Sequence, residues 1–108
     1  MWHYATRGKE YGILCSMFSE IHCVVSGKVQ RVGYRDYIEC YAKEQGLFGW
    51  IKNLENGGVE IVLQGTPDEL KTCIEVLNQG SPLARVENMA IDWRSPEKLC
   101  DEFRVIAS

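Results

Sequence analysis

The sequence predicts one α+β domain of order β-α-β-β-α-β, on three observations. Apolar spacing alternates between a period of two and one of about 3.6 along the chain. Glycine or proline stands where the period changes, and an Asn-Gly pair joins two neighbouring strand-like runs.

From Glu20 onward each element has its own signal. Ile21, Cys23 and Val25 alternate with His22, Val24 and Ser26, which predicts a strand that ends at Gly27. Between Tyr34 and Gln45, the recurrence of Tyr37, Ile38, Tyr41 and Ala42 predicts an amphipathic helix closed by Gly46. Phe48–Leu54 and Val59–Gln64 read as strands around Glu55-Asn56-Gly57-Gly58, where Asn and Gly both tolerate the positive φ of a tight hairpin. Thr66, Pro67 and Glu69 open a second helix as cap, first helical residue and capping-box partner. Leu70, Cys73, Ile74 and Leu77 line one face of that helix, which ends at Gly80, with Pro82 enforcing the break. A strand carrying Val86, Met89, Ile91 and Trp93 follows, and a short one over Phe103–Ile106 comes last. Both helices bury their apolar stripes on one face of an antiparallel sheet of four to five strands, a ferredoxin-like α/β sandwich.

Composition narrows the function. The chain has 108 residues, the size of one ordinary domain, with 45% hydrophobic and 25% charged residues, as in a soluble globular protein. A net charge of −3 repels phosphate polymers and anionic lipid at long range, so no nucleic acid and no membrane is expected as partner. No apolar run approaches the ~20 residues that span a bilayer. Five cysteines without a CxxC pair fit free thiols in a reducing cytosol, with Cys23 and Cys73 as core residues. His3 and His22 lie far apart in sequence, so no metal is assigned. Residues 1–19 read as an N-terminal extension and 20–108 as the domain. Arg7, Lys9 and Glu10 break the apolar stretch that a signal peptide needs, and Met17 offers an alternative start.

The stretch with chemistry is Gly27-Lys28-Val29-Gln30-Arg31-Val32-Gly33-Tyr34-Arg35, which joins the first strand to the first helix. Lys28, Arg31 and Arg35 make it locally cationic on an acidic chain. Free backbone N–H groups at a helix N-terminus favour an anion by about 0.3–1 kcal/mol. Gly27 and Gly33 let successive N–H groups converge, and the arginine fork matches two phosphate oxygens at once. The same stretch also reads as a polar turn with solvated cations. It is neither GxxxxGK[ST] nor GxGxxG. A second stretch, Gly49 to Val59 and on to Gly65, places Asn53 late in a strand, where an amide is unusual and offers both donor and acceptor. Alone, Asn53 reads equally as a strand-end residue pairing with the hairpin backbone.

Together the two stretches resemble the signature motifs of the acylphosphatase family. Gly27, Val29, Gln30, Val32 and Arg35 match its Gly-x-Val-Gln-Gly-Val-x-Phe-Arg. Gly49, Trp50, Asn53, Gly57, Val59 and Gly65 match Gly-aromatic-x-x-Asn-x-x-x-Gly-x-Val-(x5)-Gly. The resemblance covers roughly Glu20 to Ile106. It implies hydrolysis of the carboxyl–phosphate bond of small acyl phosphates to carboxylate and inorganic phosphate, with no metal, no cofactor and no covalent intermediate. Arg35 matches the family's phosphate-binding arginine, and Asn53 the residue that positions water. The amides of Lys28, Val29, Gln30, Arg31, Val32, Gly33 and Tyr34 would complete the phosphate cradle. The implied partners are an acyl phosphate and inorganic phosphate; the cysteine usage separately leads us to expect a cytoplasmic protein, and a monomer is expected.

Two positions depart from the pattern. Tyr34 replaces phenylalanine and brings a hydroxyl that needs a partner. Arg31 replaces glycine, and if that position requires positive φ, its β-carbon costs on the order of 1–2 kcal/mol. Two other readings stand beside the enzyme. One is a phosphate or acyl-phosphate binder with little turnover. The other is an RNA-binding module of the same topology, which the acidic charge and the aromatic-free Val59–Gln64 strand disfavour.

Overall fold

The computed structural model describes residues 18–106. The elements are β1 (Ser19–Lys28), α1 (Tyr34–Glu44), β2 (Phe48–Asn53), β3 (Val59–Gly65), α2 (Pro67–Gln79), β4 (Arg85–Arg94) and β5 (Phe103–Ile106). They form a five-stranded sheet of order β4-β1-β3-β2-β5 with two helices, a ferredoxin-like α+β fold. The sheet is mixed where an antiparallel one was expected: β5 pairs with β2 in parallel, while the other pairings are antiparallel. The reason is directional. Strand β4 runs opposite to β1 and β2, so one further reversal of the chain brings β5 up alongside β2.

Register explains the core. Ile21, Cys23 and Val25 stand opposite Leu63, Ile61 and Val59, and Ile61 stands opposite Ile51. Alternation along each strand therefore places all of these on one face, and every one is fully buried. The helices contribute Tyr34, Ile38 and Ala42 from α1, and Leu70, Cys73 and Leu77 from α2. The i, i+4 spacing sets the inward stripe of α1, so Tyr37, expected on that face, lies 42% exposed instead. The capping box of α2 is complete: Glu69 N–H donates to Thr66 Oγ1 at 3.3 Å, and Thr66 N–H donates to Glu69 Oε1 at 3.0 Å.

Three local expectations change. Strand β1 does not stop at Gly27; it continues to Lys28 through a bulge between Ser26 and Gly27, and Lys28 pairs with Arg85. Gly27 has φ 125°, and a β-carbon there would lie 2.2 Å from the Arg85 carbonyl oxygen, so backbone approach excludes any side chain. In the β2–β3 hairpin only Gly57 has positive φ, at 94°, not both Asn56 and Gly57. Asn56 instead accepts from Gly58 N–H with its side chain at 2.9 Å, an Asx turn that lets the loop span Leu54–Gly58. On β4, Ile91 and Trp93 stay 36% and 43% exposed, because among the described residues this edge strand has a neighbouring strand on one side only. The extension read over residues 1–19 lies outside the described residues apart from its end, where Ser19 already pairs with Gly65.

Candidate active site

Three connections meet at one end of the sandwich. The β1–α1 loop follows the end of β1, the β2–β3 hairpin precedes β3, and the α2–β4 turn precedes β4. Because β1 lies between β4 and β3, its loop is flanked by the turn on one side and the hairpin on the other. Both flanks are bonded to it. The Gln30 side-chain amide donates to the carbonyls of Leu54 and Gly58 in the hairpin, each at 2.8 Å. On the other flank Ser81 Oγ, in the turn, donates to the Val32 carbonyl at 3.0 Å.

Within the loop the side chains divide cleanly. Val29 and Val32 are buried and anchor it to the core, whereas Lys28 and Arg31 are exposed and Gln30 and Arg35 half-buried. Gly33 caps α1 in the left-handed region, φ 79° and ψ 11°. Arg31 is the one non-glycine described residue with positive φ, at 65°. It adopts a backbone that glycine adopts freely, with the strain here borne by the arginine. Among the described residues, Gln30 to Gly33 donate no N–H to another backbone carbonyl. Lys28, Arg31 and Arg35 form no ion pair there either. Cations and amide donors thus remain open to an anion at the start of an 11-residue helix.

Asn53 ends β2 and stands opposite Val59, which stands opposite Val25 at the start of β1's approach to the loop. Alternation with the fully buried Ile51 puts its side chain on the helix-covered face of the sheet. Its Oδ1 is buried and accepts no hydrogen bond from any described residue. Leaving such an acceptor unpaired costs about 1–3 kcal/mol, which a folded chain sustains where a ligand or water is to be held. The plainer role, pairing with the hairpin backbone, falls to Gln30 instead.

Tyr34 takes no part at the loop surface. It is 1% exposed, and its hydroxyl donates to the Leu77 carbonyl at 2.6 Å, so the extra oxygen relative to phenylalanine ties α1 to α2. Burial raises its pKa above the usual phenol range. Burial also pushes the Cys23 and Cys73 thiols up to about 12, consistent with inert core residues. Ser81 escaped the sequence reading. Its signal was there, in a small hydroxyl residue between the helix-ending Gly80 and Pro82, but nothing in the sequence told which carbonyl it would reach. Among the described residues no group of three or more His, Cys, Asp or Glu is arranged to hold a metal, and no helix is long and apolar enough to cross a membrane. A concavity of about 880 Å³ lies on the other face of the sheet under residues 95–102, lined by Glu20, Trp50, Gln64, Arg94 and Cys100. It shares no residue with the loop, and a group gripped by main-chain N–H donors needs a curved rim of backbone more than a deep pocket.

Comparison with known proteins bears on the family and the fold. A sequence model of the acylphosphatase family matches residues 21–105. An acylphosphatase from Thermococcus kodakarensis is 39% identical over 85 residues, which is 79% of this chain and 92% of that protein. Among solved structures, an acylphosphatase from Coxiella burnetii superposes with a TM-score of 0.78 at 38% identity, over 84% of this chain and 95% of that one. The crystal structure of acylphosphatase from Bacillus subtilis gives 0.79 at 28% identity, over 82% and 98%. On sequence and fold alike, the chain belongs to the acylphosphatase family of enzymes.

Proposed function

We propose that the β1–α1 loop binds the phosphoryl group of a small acyl phosphate and that Asn53 holds the water that attacks it, giving carboxylate and inorganic phosphate without a metal. The observation that carries this reading is the buried, unpartnered Oδ1 of Asn53 at the end of β2, on a hairpin that Gln30 fastens to the loop. Arg35 is the phosphate-binding side chain. Its planar fork matches two equatorial oxygens, and the loop amides from Lys28 to Tyr34 meet the charge that spreads over those oxygens in the transition state.

The chemistry asks for little else. A mixed anhydride carries a good leaving group, so placing water in line and balancing charge supply most of the rate. Asn53 Oδ1 accepts a hydrogen bond from one O–H of the water, whose proton stays with the water oxygen, and thereby aims the water's lone pair at phosphorus. The P–O bond to the acyl oxygen breaks as the new P–O bond forms, and the water's other proton passes to a phosphate oxygen.

Phosphate release from benzoyl phosphate, with inorganic phosphate as competitor and with excess EDTA, tests the whole reading. Turnover that persists in EDTA and is inhibited by phosphate is expected. A protein that inorganic phosphate protects against heating but that releases none would be a binder, and the hydrolase reading would fail. Asn53→Ala is expected to lower kcat by about 10²-fold or more with a small change in KM. Turnover near that of the unaltered protein would remove Asn53 from its role.

A further inference from the structure

We infer that the α2–β4 turn, through Leu83, forms the acyl-group side of the site and favours acyl phosphates with an apolar acyl group. This rests on the hydrolase reading above and deepens it. In-line displacement sets the direction: attacking water and leaving acyl oxygen lie on opposite sides of phosphorus. Water held by Asn53 comes from the hairpin flank of the loop. The leaving group therefore departs toward the other flank, which the strand order assigns to the turn before β4.

That turn is built to stay in place. Gly80 N–H donates to the Val76 carbonyl and Ala84 N–H to the Ser81 carbonyl, at 2.8 and 3.0 Å. Gly80, at φ 72°, lets Tyr34 pack so close that an added β-carbon would lie 3.1 Å from its ring. Ser81 bonds the loop itself through Val32, and Arg85 just beyond pairs with Lys28. At the tip of this fixed turn stands Leu83, 72% exposed, the most exposed of the large hydrophobic side chains described. An isolated exposed leucine is ordinary. One held beside a phosphate cradle, on the side to which a leaving group departs, offers apolar surface to an acyl chain and no hydrogen bond to a short polar one.

The test compares benzoyl phosphate with acetyl phosphate on the full chain and on Leu83→Ser, together with inhibition by inorganic phosphate. Loss of the leucine is expected to lower kcat/KM for benzoyl phosphate by about fivefold, equivalent to about 1 kcal/mol. Acetyl phosphate should stay within about twofold, and the phosphate inhibition constant should not move, because neither reaches the turn tip. An unchanged benzoyl-to-acetyl ratio, in a protein that hydrolyses both, would overturn the acyl-site assignment alone. An equal loss on both substrates with weaker phosphate inhibition would also overturn it, since that pattern marks a disturbed cradle. An unaltered chain that hydrolyses neither compound would overturn the hydrolase reading and this inference with it.

Discussion

Replacing Arg31 by glycine separates two effects that the native residue combines. Arg31 sits at φ 65°, and holding an L-residue in the left-handed region costs about 1–2 kcal/mol. Glycine removes that cost but adds unfolded-chain entropy worth about 0.4–1 kcal/mol. The difference leaves Arg31→Gly more stable by about 0.5–1 kcal/mol, or about 3–6 °C in Tm for a domain of this size. The same change deletes an exposed cation at the proposed anion site, so inorganic phosphate should inhibit about two- to fivefold less well at low salt, with the gap closing as salt is added. Arg31→Ala is the control. It keeps the β-carbon and loses the charge, so it should show the weaker inhibition without the gain in stability. Urea midpoints of the three proteins decide the matter. If Arg31→Gly is no more stable than Arg31→Ala, the left-handed backbone at residue 31 carries no strain and the argument is wrong.

Three further outcomes follow from the same geometry. Arg35→Lys should keep its Tm within a few degrees while kcat/KM falls by at least about 10²-fold, because an ammonium cannot reproduce the paired donors of the guanidinium; thermal melts alongside phosphate release check this. Gln30→Ala removes one hydrogen bond from each of the Leu54 and Gly58 carbonyls, which keep the backbone bonds from Gly57 and Leu54 N–H; at about 0.5–1.5 kcal/mol net for each bond, a stability loss of about 1–3 kcal/mol by urea unfolding is expected. It should also lower kcat more than it raises KM for benzoyl phosphate, since the hairpin that carries Asn53 is no longer fastened to the loop. At alkaline pH, the Cys23 and Cys73 thiols move from an ordinary value of 9.0 to about 12 on folding. Between those values the unfolded chain releases protons that the folded one keeps, so stability is intact below pH 9 and falls as pH rises toward 12. The slope is about 1.4 kcal/mol per pH unit per thiol. A urea midpoint that stays flat from pH 9 to about 11 would refute the burial argument.

Local chemistry made most of the fold readable. Thr66-Pro67-Asp68-Glu69 announces its helix because every residue in it satisfies a helix-end requirement on its own. Ile21, Cys23 and Val25 announce their strand because alternation needs no knowledge of a partner. What stayed hidden depended on distant neighbours. The parallel docking of β5 on β2 follows from where the chain travels after β4, and no residue of Phe103–Ile106 encodes a direction. Tyr37 and Ile38 look equally apolar, and only the placement of α1 over the sheet selects Ile38 as the buried one. At the candidate site, motif spacing singles out Arg35 and Asn53 as the residues to propose. The bonding of the Gln30 side chain was not legible, because its partners are carbonyls 24 and 28 residues away, and any residue could have supplied them. Ser81, bonded to Val32 across 49 residues, was hidden for the same reason.

An amide at position 53 is the choice that physics favours over the more familiar catalytic carboxylate. A carboxylate buried beside a phosphoryl group would meet a like charge in a water-poor site, and would either repel the substrate or take up a proton and lose its acceptor strength. In its proposed role the Asn53 carbonyl would accept from water without carrying a charge to oppose the phosphate. In the proposed site the electrostatic work would then fall to Lys28, Arg31, Arg35 and the loop N–H groups. The weakness of an amide as a base is no handicap when the leaving carboxylate is so readily expelled. The proposed site thus combines cationic side chains with a neutral acceptor, an arrangement suited to a reactive acyl phosphate and poorly suited to a stable phosphate ester, whose poor leaving group would demand a proton donor.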